Sequence, residues 1–408
     1  MPEDTFGGGV IMYILISLAA WLAGGLYWLM KRLPVRYQVC FFSRQSNKVP
    51  VDFRRIEEEL KRRDPTVKTV MICHQFRNRH DGAVRFSWDL LRSMYYLATS
   101  RVCILDAYWP TVSMLKHKKE LTVIQIWHSI GKIKKSGYQT LGQKSGRSVT
   151  LAKVMRMHRN YDYVIAGGRA WNPYYCASFD IEEEKLRNFG LPRLDEVLDG
   201  KGNGSELLEK YPELQNKTVI LYAPTYRKWI LEPPYELTAL FDPEQYAVVC
   251  RFHPNQQFNC ELDEQMNRYS EGSIFDYLQI CDYFITDYSS LALEAAALNK
   301  KTLYYLFDYD QYRSENGLNI DLQEILPRLT FQSAEDIADV IEGKRYPQEE
   351  MEWYRAQFLP DCLGKSTEKI VDLIEEKLGR DEICDNGRRE DDALGEDVQN
   401  TEAPAAYR

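Results

Sequence analysis

The sequence lacks the short motifs that identify the common nucleotide, metal and redox sites. Its nine cysteines are scattered and form no C-x-x-C pair, which leaves zinc and redox motifs unsupported. The patterns G-x-S-x-G, G-x-x-x-x-G-K-S/T and G-x-G-x-x-G are absent, which argues against α/β-hydrolases, P-loop proteins and dinucleotide-binding enzymes. No paired His and Asp spacing indicates a metal site, and we expect neither a metal nor a cofactor. Free thiols are typical of a reducing, cytoplasmic compartment.

Basic residues are also fewer than acidic residues. The 408 residues carry a net charge of −8, and residues 381–408 account for −6 of it with nine acidic residues and three arginines. These last residues show no apolar periodicity, so we predict a disordered acidic tail at residues 379–408. An acidic chain without a recognition motif is not expected to bind nucleic acid.

Long uncharged runs are scarce, with one exception at residues 10–30. The run is long enough to cross the roughly 30 Å hydrocarbon core of a bilayer, and Lys31, Arg32 and Arg36 follow it. The positive-inside rule then puts the following domains in the cytoplasm. We predict one N-terminal transmembrane helix within a membrane anchor at residues 1–36, and therefore a single-pass protein of the cell membrane. A buried helix of a soluble domain is the alternative interpretation.

Strand and helix signals alternate through the rest of the chain. In the first half, strands are predicted at 37–42, 68–73, 101–105, 122–127 and 161–165, with helices at 51–63 and 87–98. In the second half, strands are predicted at 218–222, 246–252, 283–286 and 302–306, with helices at 291–298, 333–342 and 366–378. Such alternation is typical of an α/β protein whose parallel sheets carry helices on both faces.

We therefore predict two Rossmann-like domains that face a cleft. The first comprises residues 37–195 and the second residues 218–378. Residues 190–195 are predicted as a turn, and residues 196–217 as the linker between the domains. Fold alone does not give function, so the site residues must be argued separately.

The segment at residues 281–310 reads as one strand–turn–helix–strand unit. Its turn contains Asp287, Ser289 and Ser290, directly before the predicted helix. Ligands in such sheets bind at the carboxyl ends of the strands, and hydroxyls before a helix suit a phosphate group. A plain serine N-cap is the alternative explanation.

Two histidines follow predicted strands in the same manner. His128 comes after the strand at 122–127 and His253 after the strand at 246–252, with Arg251 two residues earlier. Imidazole suits proton transfer near neutral pH, and Arg and His are good phosphate partners. Arg227, in a loop after the strand at 218–222, is a further phosphate-binding candidate. For each histidine, a structural role with a backbone hydrogen bond is the alternative.

The other four histidines, His74, His80, His117 and His158, lack such placement and are expected to be surface or structural residues.

The stretch at residues 116–159 is strongly basic. It contains eleven Lys or Arg residues and a single acid, Glu120. Lys132, Lys134 and Lys135 follow soon after His128. A solvated basic surface is the usual explanation for such a cluster, but downstream of a membrane anchor it suits anionic lipid headgroups or a lipid-linked diphosphate.

Five motifs together resemble one enzyme family. They are QIWH at 125–128, GLPRLD at 190–195, LYAPTYR at 221–227, RFHP at 251–254 and ITDYSS at 285–290. In this order and spacing they resemble the CDP-glycerol glycerophosphotransferases, the teichoic-acid primases and polymerases of Gram-positive bacteria. The resemblance covers residues 37–377. Here residues 127–131 read WHSIG where the family often has WHGTP, which affects the expected shape of the acceptor site.

The resemblance implies a GT-B fold and a specific reaction. Glycerol phosphate would pass from CDP-glycerol to a hydroxyl of a lipid-linked, undecaprenyl-type acceptor, with release of CMP. His128 matches the expected general base, and His253 with Ser289 and Ser290 matches the binding site for the donor phosphates. Glu294 matches an acid expected at the cytidine ribose. The chain length favours a primase-like or short-chain enzyme.

Several alternatives stay open at this point. The donor could be CDP-ribitol, or the protein could be a GT-B glycosyltransferase that uses a nucleotide sugar. A membrane-anchored scaffold with an inactive site is a hypothesis of a different class. The acceptor, the product length, a homo-oligomeric state and a divalent-ion requirement are not fixed by the sequence.

Overall fold

The computed structural model describes residues 6–75, 83–143, 146–200 and 204–379. Two separate parallel sheets organise the chain. The strands of the first sheet are β1 (Gln38–Ser43), β2 (Lys68–Cys73), β3 (Val102–Leu105), β4 (Thr122–Gln125), β5 (Tyr163–Ile165) and β6 (Leu186–Arg187). Their spatial order is β2-β1-β3-β4-β5-β6.

The second sheet is built from the later part of the chain. Its strands are β7 (Thr218–Tyr222), β8 (Tyr246–Cys250), β9 (Tyr283–Thr286), β10 (Lys301–Tyr305) and β11 (Thr330–Phe331). Their order is β11-β10-β9-β7-β8, and every pair is parallel. In each sheet the order reverses once, between β1 and β3 and between β7 and β9. Ligands of open α/β sheets bind at such reversal points.

Helices surround both sheets. In the first half they are α1 (Phe6–Met30), α2 (Val51–Arg63), α3 (Ala83–Thr99), α4 (Pro110–Met114), α5 (Val149–Val154), α6 (Asn172–Phe179), α7 (Pro192–Leu198) and α8 (Gly204–Lys210). In the second half they are α9 (Tyr235–Ala239), α10 (Glu264–Asn267), α11 (Ile274–Ile280), α12 (Leu291–Ala297), α13 (Tyr309–Asn316), α14 (Leu322–Ile325), α15 (Ala334–Glu342), α16 (Gln348–Phe358) and α17 (Ser366–Leu378).

The central strands explain why the α/β class is readable from sequence. Every residue of β1 and of β3 is buried, as expected for parallel strands that are covered on both faces. The predicted strands are confirmed with shifts of at most two residues. One shift matters, because β4 ends at Gln125 and leaves Trp127 and His128 in the following loop. The prediction of an α/β fold with parallel sheets is therefore confirmed.

The segment around Gly190 differs from its prediction. Gly190 has a φ of +72°, as a turn residue would, but α7 begins two residues later at Pro192. Proline is favoured in the first turn of a helix because no intrahelical partner awaits its missing N–H. The predicted turn at 190–195 is therefore wrong from residue 192 onward. The predicted linker also contains helix α8.

The last helix returns to the first unit. Helix α17 packs on α2 and α7, although the sequence places it at the end of the predicted second domain. Asp195 of α7 accepts hydrogen bonds from the backbone N–H groups of Ser366 (3.1 Å) and Thr367 (2.7 Å). A side-chain carboxylate thus satisfies free donors at the start of α17. This closing helix ties the two units together.

The predicted membrane anchor coincides with helix α1. Apolar side chains such as Trp21 and Leu22 on its later turns are exposed. Across the described parts of the chain, no helix is long and apolar enough to cross a bilayer. The transmembrane helix therefore stays a prediction. The predicted acidic tail lies outside the described residues apart from Gly379.

Candidate active site

The carboxyl ends of the two sheets meet at a cavity of about 740 Å³, which we call the basic cleft. Residues after β3 and β4 line it from the first unit, and residues after β9, including Ser290, line it from the second. None of the described residues that line it is Asp or Glu. Its cationic and imidazole side chains are Arg44, His128, Lys132, Lys134, Lys135, Arg147, His158 and Lys228. Such a lining attracts anionic groups.

His128 is held in one tautomer at the edge of the first sheet. Its Nδ1 lies 3.0 Å from the backbone carbonyl oxygen of Asp106. A carbonyl only accepts, so Nδ1 carries the proton and Nε2 is the basic nitrogen. Burial lowers the pKa of His128 to about 4, with a further lowering from cations such as Lys132. The side chain is therefore a neutral base at physiological pH.

The turn that carries His128 is strained. Trp127 has a φ of +61°, a left-handed conformation that is unfavourable for a bulky residue. Its ring lies 4.0 Å from the His128 ring, centroid to centroid. Strain of this kind persists where the surrounding structure enforces it, often at functional sites. The strained turn fixes the position of the imidazole.

Asp106 connects His128 to the neighbouring strand. Ser43, the last residue of β1, donates a hydrogen bond of 2.5 Å to the Asp106 carboxylate, which also accepts from the N–H of Arg44. Burial raises the pKa of Asp106 to about 6, against the effect of the Ser43 hydrogen bond. Sequence reasoning missed Asp106, although its position directly after β3, beside the strand that precedes His128, was a usable signal.

The three predicted lysines occupy different environments. Lys132 is buried, with Nζ 4.1 Å from the ring centre of Trp127 and 4.2 Å from that of Phe179. Burial holds the pKa of its ammonium well below the ordinary value. Burial also lowers the pKa of Lys134, which is partly offset by the nearby Asp287 carboxylate. Lys135 is exposed at the rim.

The predicted serine pair divides into two roles. Ser290 lines the basic cleft. The Oγ of Ser289 instead accepts a hydrogen bond of 3.3 Å from the N–H of Leu291 at the start of α12. Asp287 is buried below them and accepts from the N–H of Thr225 at 2.9 Å. Of these three residues, the structure brings Ser290 into one cavity with His128.

Arg227 is fully buried between two carboxylates. Its Nε and Nη2 donate to Asp308 at 2.6 Å and 2.9 Å, and its Nη1 lies 2.8 Å from the Asp287 carboxylate. Burial alone would lower the pKa of Arg227, but the two carboxylates raise it. The guanidinium is thus engaged within the protein, and direct contact with a phosphate stays a prediction. Sequence reasoning missed Asp308 as its partner.

Arg251 and His253 lie outside the basic cleft. The Arg251 guanidinium donates to the backbone carbonyls of Ser270 (2.5 Å) and Gly272 (2.6 Å), and so supports the loop before α11. His253 is exposed, and its Nδ1 accepts from the N–H of Asn255 at 3.1 Å, which leaves the proton on Nε2. The structure does not bring either residue into the cavity that holds His128.

Glu294 is buried on α12, close to charged residues of the first unit. Burial raises its pKa to about 7, and the nearby Arg193 cation opposes this rise. Within the described part of the chain, Oε2 of Glu294 has no hydrogen-bond partner. Arg193 itself donates to the Asp52 carboxylate, including a bond of 2.9 Å from Nε. The predicted ribose contact of Glu294 remains a prediction.

The remaining four histidines and two further arginines are considered together. His158 was expected to be a surface or structural residue, and it is buried with Nδ1 3.1 Å from the Tyr161 hydroxyl. It also lines the basic cleft, and burial lowers its pKa to about 3. His74 is buried and pairs with Asp89, and His117 bonds to Tyr27 and to a backbone carbonyl, as structural residues do. His80 lies outside the described residues. Arg44 and Arg147 line the cleft and were not singled out by sequence.

A metal site in the described ranges would require several ligating side chains close together. In those ranges no group of three or more His, Cys, Asp or Glu side chains is arranged to hold a metal ion.

This chain is similar to known proteins in sequence and in structure. Residues 26–376 match the family model described as CDP-Glycerol:Poly(glycerophosphate) glycerophosphotransferase. A teichoic acid ribitol-phosphate primase from Bacillus spizizenii is 28% identical over 84% of this chain and 92% of its own. A teichoic acid glycerol-phosphate primase from Bacillus subtilis is 26% identical over 70% of this chain and 76% of its own.

A solved structure shares the fold. The wall teichoic acid polymerase TagF superposes with a TM-score of 0.64 at 18% identity, covering 93% of this chain and 99% of that one. This likeness establishes a GT-B-like arrangement of two parallel sheets. Because the family model matches most of the sequence, this chain belongs to the CDP-glycerol:poly(glycerophosphate) glycerophosphotransferase family.

Proposed function

We propose that this protein transfers an alditol phosphate from a CDP-alditol to a hydroxyl group of a teichoic acid acceptor and releases CMP. The observation that carries the proposal is the basic cleft itself. It holds the neutral base His128 on one unit and Ser290 on the other, among cations and without a carboxylate in its described lining. This combination suits attack by a hydroxyl on the diphosphate of a CDP-alditol.

The proposed reaction needs one proton transfer and one displacement. The acceptor hydroxyl donates its proton to Nε2 of His128 while its oxygen attacks the phosphorus that carries the alditol. A new P–O bond forms, and the bond from that phosphorus to the bridging oxygen breaks. CMP leaves with the electron pair. Lys134 and Lys228 in the cleft lining support the proposal, because cations stabilise charge that develops on the phosphate oxygens.

The other predicted site residues have different roles in this proposal, from direct contact with the donor to positioning of the site. Ser290 contacts the donor phosphates directly. The Nε2–H group of His253 can donate a hydrogen bond to a donor phosphate that extends beyond the cleft. This is the role predicted for His253 from the sequence. Arg227 acts as a positioning residue, because its ion pairs hold Asp287 and hence the turn before Ser290.

The acceptor is proposed to be lipid-linked and presented at the cytoplasmic face of the membrane. Exposed apolar side chains on the later turns of α1 support a membrane contact. Lys31 and Arg32 follow directly, and cations next to an apolar helix favour anionic headgroups. The helix would keep the basic cleft close to its acceptor.

CMP release tests the proposal. Purified full-length protein receives CDP-glycerol with a lipid-linked disaccharide acceptor, and CMP is measured for the wild type and for His128→Ala. We expect acceptor-dependent release that falls about 10²- to 10⁴-fold in the variant, the range for removal of a general base. His117→Ala, at a structural histidine outside the cleft, is the control. Equal rates for wild type and His128→Ala would exclude His128 as the base.

The pH dependence of the same reaction provides a second prediction. Burial lowers the pKa of His128 to about 4, so the active neutral form persists in mildly acidic solution. We expect the acid limb of kcat/KM to lie closer to pH 4 than to the ordinary histidine value of about 6.5. Circular dichroism at each pH controls for unfolding. An acid limb near 6.5 would mean that the base is a solvated histidine.

A separate experiment identifies the alditol that the donor carries. A ribitol-phosphate primase and a glycerol-phosphate primase are both similar to this chain, so ribitol is a candidate beside the glycerol predicted from sequence. Comparing kcat/KM for CDP-ribitol and CDP-glycerol with one acceptor decides between them. Turnover of a UDP-sugar, with neither CDP-alditol used, would instead support the glycosyltransferase alternative.

A further inference from the structure

A second cavity, of about 920 Å³, lies in the second unit. It opens beside the carboxyl ends of β7, β8 and β10, and it shares no described lining residue with the basic cleft. Tyr222 of the LYAPTYR motif and Phe252 of the RFHP motif line it, but the roles argued above do not use these side chains. We call it the aromatic cavity, because ring side chains form its floor.

The floor is a connected series of five aromatic rings. Phe307 lies 5.2 Å from Tyr305, centroid to centroid, and Tyr305 lies 6.4 Å from Tyr222. Tyr222 lies 6.1 Å from Phe252, which contacts Phe258 at 4.8 Å. Aromatic pairs at these distances attract one another beyond their buried area. The rings therefore form a preorganised surface, and Phe307 at its edge is 38% exposed.

The wall of the cavity is held by backbone hydrogen bonds. The N–H of Leu231 donates to the carbonyl of Gln257 at 3.0 Å, and the N–H of Asn259 donates to the carbonyl of Leu231 at 2.9 Å. These bonds join the loop after β7 to the loop after β8. The cavity is thus a built feature of two loops that are fixed to each other.

The charge of the aromatic cavity is opposite to that of the basic cleft. Glu232, Glu236, Asp308 and Asp310 line it, and none of its described lining residues is Lys, Arg or His. A phosphate group would be repelled there. Two of the carboxylates are already engaged, because Asp308 pairs with Arg227 and Glu236 accepts a hydrogen bond from the Tyr305 hydroxyl. This engagement reduces the attraction for a cation.

We propose that the aromatic cavity binds an uncharged ring compound that carries hydroxyl groups. The apolar face of such a ring stacks on aromatic side chains. Its hydroxyls donate to the carboxylates and bond to the amides of Asn259, Gln311 and Gln332, which also line the cavity. This assignment does not depend on the proposed transferase reaction. Only the source of the ring does, since either a sugar unit of the acceptor or the nucleoside of the donor has this chemistry.

Saturation-transfer NMR on the full-length protein tests the assignment without turnover. The probes are N-acetylglucosamine, cytidine, choline and inorganic pyrophosphate, the last observed by phosphorus line broadening. We expect saturation of ring protons for at least one of the two neutral probes. Phe307→Ala should reduce that signal about fivefold or more, the lower end of the range for loss of an aromatic stacking partner. Phe307→Leu keeps an apolar side chain and tests the ring itself.

Trp353→Ala, an exposed aromatic on α16 outside the cavity, is the matched control and should leave the signal unchanged. Preference for N-acetylglucosamine assigns the site to a sugar, and preference for cytidine assigns it to the donor nucleoside. A neutral-probe signal that survives both Phe307 variants comes from elsewhere and overturns the proposal. So does the absence of any neutral-probe signal, or choline binding alone. A failed CMP-release assay alongside a Phe307-dependent signal would reject only the transferase proposal.

Discussion

The basic cleft and the aromatic cavity lie on opposite sides of one short segment. Lys228 lines the first and Trp229 lines the second, although the two residues are adjacent in sequence. The cleft presents cations without carboxylates, whereas the cavity presents carboxylates without cations, within their described linings. Two neighbouring sites of opposite charge can hold different parts of the same reaction mixture. In our proposals, anionic phosphates bind in the first site and uncharged rings in the second.

Arg227 separates the two sites and explains how their charges coexist. It is bonded to Asp287 on the side of the cleft and to Asp308 on the side of the cavity. Its own positive charge is therefore neutralised within the wall and is not presented to either ligand. The comparison teaches that a buried arginine beside a predicted phosphate site can stabilise the structure between two sites.

Replacing Arg227, which lies between the two sites, should have the largest effect, and that effect is on stability. Arg227→Met leaves the buried Asp287 and Asp308 carboxylates without their partner, and we expect a loss of about 3–5 kcal/mol in unfolding free energy. Denaturant unfolding followed by circular dichroism measures it. Lys228→Met changes the exposed neighbour and should stay within about 0.5 kcal/mol of the wild type. Similar losses in both variants would show that the ion pairs do not support the wall.

Removing one cation from the basic cleft should have an intermediate effect. Lys134→Met is expected to raise the KM for the CDP-alditol about tenfold or more, because hydrogen bonds to charged groups contribute about 1.5–3 kcal/mol. Steady-state CMP release measures it. Lys301→Met removes an exposed cation on β10 and should leave KM unchanged.

The same Lys134→Met variant sharpens the comparison between the sites. The neutral-probe NMR signal of the aromatic cavity should be unaffected, since Lys134 does not line it. A simultaneous loss of that signal would mean that the two sites act as one.

Sequence reasoning identified the two sheets and the residue His128 because both are local signals. Apolar runs such as VCIL of β3 mark buried parallel strands, and a histidine directly after a strand lies at the ligand-binding edge. Both features depend on neighbours in sequence. The strand that precedes His128 was predicted two residues too long, yet the residue still fell at the correct edge.

The environment of each charged side chain could not be read in this way. Lys132, Lys134 and Lys135 look alike in sequence, but their environments differ. Lys132 is buried among aromatic rings, Lys134 forms an antiparallel bridge with Leu318, and Lys135 is exposed. Arg227 pairs with Asp308, which lies 81 residues later in the sequence. Such pairings are set by tertiary contacts, which no spacing rule within one motif encodes. The left-handed Trp127 is equally invisible in sequence.

The smallest expected effect separates the two serines of the ITDYSS motif. Ser290→Ala removes a hydroxyl from the basic cleft and should raise the KM for the CDP-alditol about threefold to tenfold, the value of one hydrogen bond of about 1 kcal/mol. Ser289→Ala removes the acceptor for the Leu291 N–H and should instead cost about 0.5–1.5 kcal/mol of stability, as loss of one intramolecular hydrogen bond does. Its KM should stay near the wild-type value.

The two variants are measured side by side, with CMP release for KM and denaturant unfolding for stability. Because the residues are adjacent and chemically identical, nonspecific effects of the substitution cancel in the comparison. If Ser289→Ala raised KM as much as Ser290→Ala, both hydroxyls would contact the donor, and the cleft would extend further toward α12 than its present lining. If neither changed KM, the phosphates would be held by the cations of the cleft alone. In that case the difference in charge would be sufficient to direct phosphates to the basic cleft and uncharged rings to the aromatic cavity.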